Sequence, residues 1–477
     1  IMGGVSAPQI ATRLDAAQLA NLGNGSGRLL INAGSTTAAT TQTFASTTLG
    51  TGASDIVITS GGTNAALLTL GAITRGRGAT LFVGNPDNTL SATNGVRTTS
   101  GTASTVLTDA NGTAYAVLAT NSSTTVTDWA MKNAGNVWLT APIYTPSAAA
   151  TANYGQTLTA GSTTNGSATI TVASVANLVV GAIVSGTGIP VGASIQSTNT
   201  TANTITISAP ATATASGLTF TVAQNVNFTQ TNTAAWTTQT INSLRMNAST
   251  AANLLIGAGQ TITISTGGIL FGSGAAAASL STTVGQGTIV PGAGRELVIF
   301  ANNNLLTINA VLGQSAAGAT DVTFRGLVSV GLAKNDVLLK ANSTYSGDTY
   351  ISGVRVRTDL ATVTAPFGTG LNGNVYIYGN NGGQFMTADN VTLAARNWYI
   401  IGGGWEESSS GNHHGAIRLG NGATLQGTLN LMGDSGIRTT GTLATVSAKL
   451  FGDFNLKARS GAGDGTINFT ADNTGWA

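Results

Sequence analysis

Short runs of alternating apolar and polar residues, each closed by Gly, Asn, Asp or Ser, recur through almost the whole chain. RLLINAG (28–34), SDIVITSGG (54–62), ALLTLGAI (66–73), ATLFVGN (79–85) and NLLIGAG (253–259) are early examples. QTITISTGGILFGSG (260–274), ELVIFANNNLLTINA (296–310), DVLLKANSTYSG (336–347), GNVYIYGNNGG (373–383) and GTINFTADN (465–473) continue the pattern. A period of two bounded by turn residues is the signature of a β-strand, here of about 4–6 residues. No amphipathic helical segments separate these runs, which excludes a doubly wound α/β sheet. Irregular spacing over more than about 400 residues with no clear boundary favours an all-β fold of the solenoid kind, a parallel β-helix. In such a fold Leu68, Leu70, Ile262, Ile264, Leu429 and Leu431 stack inward, and Asn-rich turns such as 302–304 are placed to form amide ladders.

Composition narrows the function. Charged residues are 8% of the 477, against roughly 25% in an average soluble domain. The 19 basic and 17 acidic residues are thinly spread, with no basic stripe or basic–aromatic interleaving, so nucleic acid is not an expected partner. Cysteine is absent, leaving packing and backbone hydrogen bonds to hold the chain. No apolar run of about 18 residues is present to span a membrane as a helix. The opening IMGGVSAPQI has no Met at position 1 and reads as the interior of a longer chain.

Two segments depart from the pattern. In APQIATRLDAAQLANLG (7–23), Ile10, Leu14 and Ala17 lie at helical spacing, so it reads as a short helix or as an irregular loop before the first coil. Residues 161–222 hold closely spaced strands with hairpin-type links and read as a small inserted β-sandwich-like unit, the alternative being a continuation of the coils. The expected division is therefore solenoid over 1–160, insert over 161–222, and solenoid over 223–477. Outside the insert, at roughly 20–25 residues per coil, the chain would make one rod on the order of 80–95 Å.

Residues 331–356, GLAKNDVLLKANSTYSGDTYISGVRV, resemble the autotransporter-associated β-strand repeat through Gly331, Leu332, Lys334, Leu338, Tyr345, Ser346, Gly347, Thr349, Ile351 and Gly353. The following strand extends the resemblance to residue 383. A second partial copy near the end is carried by Leu456, Lys457, Gly461, Gly463, Ile467, Phe469, Asn473 and Thr474. The chain departs from the repeat at Asp336 and Asp348, where the repeat has Gly, and at Val354 and Val356, where it has Leu. The resemblance implies a right-handed parallel β-helix, exported and displayed on a bacterial cell surface. It implies an architecture more than an activity.

Chemistry concentrates in GGGWEESSSGNHHG (402–415), which carries Trp405, both histidines, His413 and His414, and Glu406 and Glu407, two of the three glutamates. Imidazole and carboxylate are metal-ligand types. But adjacent residues of an extended strand face opposite ways, so only one of each pair can reach a common point. The competing reading is a surface contact loop. Tyr376, Tyr378, Trp398 and Tyr399 form a second cluster, either a row on which sugar rings stack or aromatic packing within the wall. No phosphate loop, nucleophile elbow or calcium-type run is present, so no cofactor and no catalytic residue is expected. The combined expectation is a non-enzymatic, extracellular structural protein that assembles with copies of itself, or with further repeats of a larger chain, into a surface layer, sheath or fibre. The alternative is an adhesin that binds surface glycans.

Overall fold

The computed structural model describes residues 25–32, 39–59, 64–87, 89–119, 126–133, 135, 138–148, 150–151, 153–272, 275–302, 304–326, 336–368, 373–405, 413–459 and 465–473. The helix-or-loop segment 7–23 lies outside them, as do Gly331, Leu332 and Lys334. The fold is all-β, and no α-helix occurs among the described residues.

The largest element is a sheet of 19 strands in which every pairing is parallel. Register is strict where the core lies. Val226, Leu244, Ile269, Ile299, Phe324, Ile351, Ile377, Ile400 and Leu431 sit on successive strands, each opposite the next. All are buried, in one continuous apolar cluster with residues of two smaller parallel sheets, one spanning Gln239–Ile241 to Val311–Leu312 and one Thr424–Leu425 to Thr466–Phe469. A one-residue slip would turn each of these side chains out of the core, so burial of this face fixes the register. Leu68, Leu70, Ile262, Ile264, Leu429 and Leu431 all lie in the buried cores.

The N-terminal part does not continue that stack as one rod. Strands Gly25–Asn32, Gly52–Thr59, Ala79–Gly84, Ala116–Ala119 and Asp128–Trp129 form a separate sheet, parallel until its last pairing reverses direction. One face covers its own core of Ile31, Ile56, Ile58, Leu81, Val83 and Leu118. The other face, with Val57, Phe82, Val117 and Trp129, packs on Leu270, Val298 and Phe300 of the long sheet. The two stacks run in opposite order. Asp128 meets Arg245, Ala114 meets Thr266, Arg75 meets Glu296, Asp55 meets Arg325, and Thr51 meets Tyr378. Strands of the N-terminal layer thus lie side by side with the long sheet from Arg245 to Tyr378. The physical reason is that their outer faces are apolar and need a cover, which a single rod would not provide.

The expectation at 161–222 is a sandwich-like unit; the strands between Gln156 and Ala223 instead form one antiparallel sheet of six strands. Register shifts around Gly161 mark bulges, which bend a strand. Ile170, Val184, Ile195, Ile205, Phe220 and Val222 belong to a core of its own. Thr145 pairs with Val226 in the long sheet, so the chain leaves and rejoins the stack between adjacent strands.

Two positions of the repeat resemblance have clear physical duties. Tyr345 is buried, its hydroxyl 2.8 Å from the Thr349 hydroxyl. Gly347 has no room for a Cβ, which would fall 2.3 Å from the Thr320 carbonyl oxygen. The departures carry charge instead: Asp336 makes a bidentate pair with Arg355 at 2.8 and 2.7 Å.

Candidate functional site

Loop 402–415 is pinched at its base. Gly404 and Gly415 form a bridge, the Gly415 N–H donates to the Gly403 carbonyl at 2.7 Å, and the His414 N–H donates to the Trp405 carbonyl at 2.9 Å. The histidines then diverge. His413 Nδ1 lies 3.2 Å from the Gly404 carbonyl oxygen. His414 is buried and accepts a hydrogen bond at Nδ1 from the Arg438 guanidinium. A lone pair engaged by a guanidinium is not offered to a metal. Glu406 and Glu407 lie outside the described residues. Trp405 is half-buried, its ring facing the Arg355 guanidinium at 5.7 Å, so it covers the Arg355–Asp336 pair. No cluster of three metal-ligating side chains occurs among the described residues. Millimolar zinc is expected to leave the thermal midpoint unchanged, as differential scanning fluorimetry can check; a rise of several degrees would restore the metal reading.

The four aromatics do not share a surface. Trp398 points inward and is 1% exposed, stacked on Phe385 at 5.7 Å with its indole N–H on the Gln426 carbonyl at 2.9 Å. Tyr378 is also buried, hydrogen-bonded to the Thr51 side chain, and burial pushes its phenol up. Only Tyr376 and Tyr399 are half-exposed. They continue a stack from Tyr350, with ring centroids 5.1 and 4.8 Å apart. Both faces of Tyr376 are therefore taken by tyrosines, and Tyr399 has Asn430 as its next neighbour in register. A pyranose stacks on a free ring face, and this ladder presents ring edges. The aromatic row is wall packing.

The site that sequence reasoning missed is a cleft of about 430 Å³, counting its open mouth, where the two stacks meet. Arg75, Arg77 and Asp109 line it from the N-terminal layer, and Arg295, Glu296 and Asp321 from the long sheet. Arg75 is the hinge of the cluster. It donates to Asp109 at 2.8 Å, to Glu296 at 2.7 Å and to the Ala79 carbonyl at 2.6 Å, with its guanidinium 5.7 Å from the Tyr115 ring centroid. Burial works against its charge, but Glu296 and Asp109 outweigh that and hold its pKa above the ordinary value. Gly78, at φ 69°, lets the layer approach Tyr350 so closely that a Cβ would fall 2.4 Å from the ring. Every carboxylate here already accepts donors. Asp109 takes the Asn111 and Thr113 N–H groups as well as Arg75, Glu296 takes the Thr323 hydroxyl, and Asp321 takes the Asp348 N–H and Arg77. The arrangement clamps two layers together. The available sequence signal was the consecutive apolar residues LFV (81–83) and LVIFA (297–301), since strands buried on both faces lose their alternation.

Comparison of the chain with known protein families, curated proteins and solved structures found no match.

Proposed function

We propose that this chain is a non-enzymatic structural protein of the cell exterior, a right-handed β-solenoid that serves as a building block of a surface layer, sheath or fibre. The observation that carries the reading is the in-register parallel stacking of strand on strand through the long sheet. Such stacking makes a stiff body whose hydrogen bonds run along one axis, and it puts no demand on catalytic groups. Saturated carboxylates in the charged cleft and the absence of thiols fit a protein whose worth lies in slow unfolding. Phe451 and Phe454 are exposed beside strand Leu456–Arg459, which pairs on one side only among the described residues. An edge of that kind accepts another strand. Surface display also agrees with the repeat resemblance around Tyr345 and Gly347.

Electron microscopy of the purified chain tests the proposal. Fibres or sheets with a regular repeat are expected, with oriented samples diffracting at about 4.8 Å along the stacking axis. Particles that stay single at the highest soluble concentration, and that bind a defined glycan saturably, would replace it with the adhesin reading.

A further inference from the structure

Eight tyrosines occur in the chain, and all are among the described residues. Five are buried: Tyr115, Tyr154, Tyr345, Tyr350 and Tyr378. Of the three half-buried ones, Tyr144 turns its ring to the Arg245 guanidinium at 5.1 Å, while Tyr376 and Tyr399 stack on each other. Register brings that pair together. Tyr376 of Asn374–Tyr378 stands opposite Tyr399 of Arg396–Gly402 on adjacent parallel strands, with ring centroids 4.8 Å apart and planes inclined by 21°. The pairing cannot slip by one residue without turning Val375, Ile377, Trp398 and Ile400 out of the core. Two phenols that solvent reaches are therefore held within stacking distance by the sheet itself.

We propose that Tyr376 and Tyr399 are a site of oxidative cross-linking, at which a one-electron oxidant joins two consecutive strands of the long sheet through a dityrosine bond. Each phenol gives up one electron and its hydroxyl proton, and the two phenoxyl radicals couple through ring carbons Cε, ortho to the oxygens. One C–C bond forms, and the C–H bonds at the coupled carbons break as those protons move to the oxygens and restore both phenols. In all, two electrons pass to two equivalents of oxidant and two protons pass to water. A radical is short-lived, so a partner already held in place is worth a large effective concentration. No cysteine is present to divert the oxidant. The bond ties the strands as a disulfide would, in a chain that has no thiol to make one.

Tyr350, which stacks on the other face of Tyr376 at 5.1 Å, is not the coupling partner. It is buried, its hydroxyl donates to Asp348 at 3.2 Å, and Gly78 lies so close that a Cβ there would fall 2.4 Å from its ring. Coupling needs one ring to swing until the Cε edges meet, and this ring is clamped. Tyr399 stands at the end of the row. Next in register is Asn430, whose amide is turned to the Trp398 carbonyl at 3.2 Å and the Thr428 hydroxyl at 2.9 Å. A half-buried ring beside so short a side chain can tilt. The chemistry depends on this pair alone, whether or not copies of the chain assemble.

Brief irradiation of the dilute full chain with a ruthenium photosensitiser and persulfate supplies the oxidant. Trypsin then cuts after Arg357, Arg396 and Arg418, which places Tyr376 and Tyr399 on different peptides. Mass spectrometry is expected to find those two peptides joined with the loss of two hydrogen atoms, accompanied by dityrosine fluorescence. Tyr376→Phe and Tyr399→Phe keep the stacked rings and should each abolish the product, whereas Tyr350→Phe should leave its yield unchanged. Unfolding in urea before irradiation should lower the yield by about tenfold or more, because only the paired strands hold the rings together. A cross-link that forms mainly between copies, that uses Tyr350, or that survives Tyr399→Phe would overturn the proposal. So would an equal yield in urea, or oxidation of the folded chain without this product.

Discussion

Arg75→Met is expected to destabilise the protein by about 3–5 kcal/mol, the usual cost of removing one partner from a buried charge cluster. The size follows from what remains. Asp109 and Glu296 both keep their charge at sites only 11% and 6% exposed, and the Ala79 carbonyl loses its guanidinium donor. Met fills much of the arginine stem over Tyr115, so the loss reports charge more than volume. Urea unfolding of the full chain measures it, and exchange in Gly52–Thr59 shows whether the N-terminal layer is released first. Combining Arg75→Met with Glu296→Gln and Asp109→Asn should recover most of the loss, because no buried ion is then left uncompensated. A loss under about 1 kcal/mol in the single variant would mean that solvent reaches the cluster and that it acts as surface pairs do.

This cluster also marks the boundary of what the sequence could disclose. Strand positions were readable, since each depends on a few adjacent residues: SDIVIT, ATLFVG, DVLL and NVYIY all lie in strands. The inward rows were readable too, because alternation tells one face from the other. The cover over the outward face was not. Arg75 and Glu296, or Asp55 and Arg325, are far apart in the chain, and no local pattern couples them. With charge so sparse, no local run marks these ions, while the structure gathers several at a single contact. LVIFA is a strand buried on both faces, and such a strand requires a second layer. The His/Glu loop drew attention for its rarity, yet its described part commits His414 to Arg438 and Trp405 to Arg355. Rarity of residue type identified a place in the sequence without identifying its chemistry.

The cluster of Tyr376, Tyr378, Trp398 and Tyr399 gives the second large effect, through two adjacent residues. Trp398→Ala is expected to cost about 3–5 kcal/mol, as truncations of buried aromatics do. It deletes the stack on Phe385, the edge contact with Phe367 at 6.1 Å and the indole hydrogen bond to Gln426, and it leaves a cavity in the continuous core. Tyr399→Ala removes one half-exposed ring at the end of the tyrosine ladder and should cost only about 1 kcal/mol, the worth of an aromatic pair with little burial. Chemical denaturation separates the two easily. Neighbours in sequence point to opposite faces of a strand, so a wide gap between the variants identifies one face as core and the other as wall. Equal, small losses, together with weakened sugar binding in both, would instead place Trp398 at the surface and return the aromatic row to recognition.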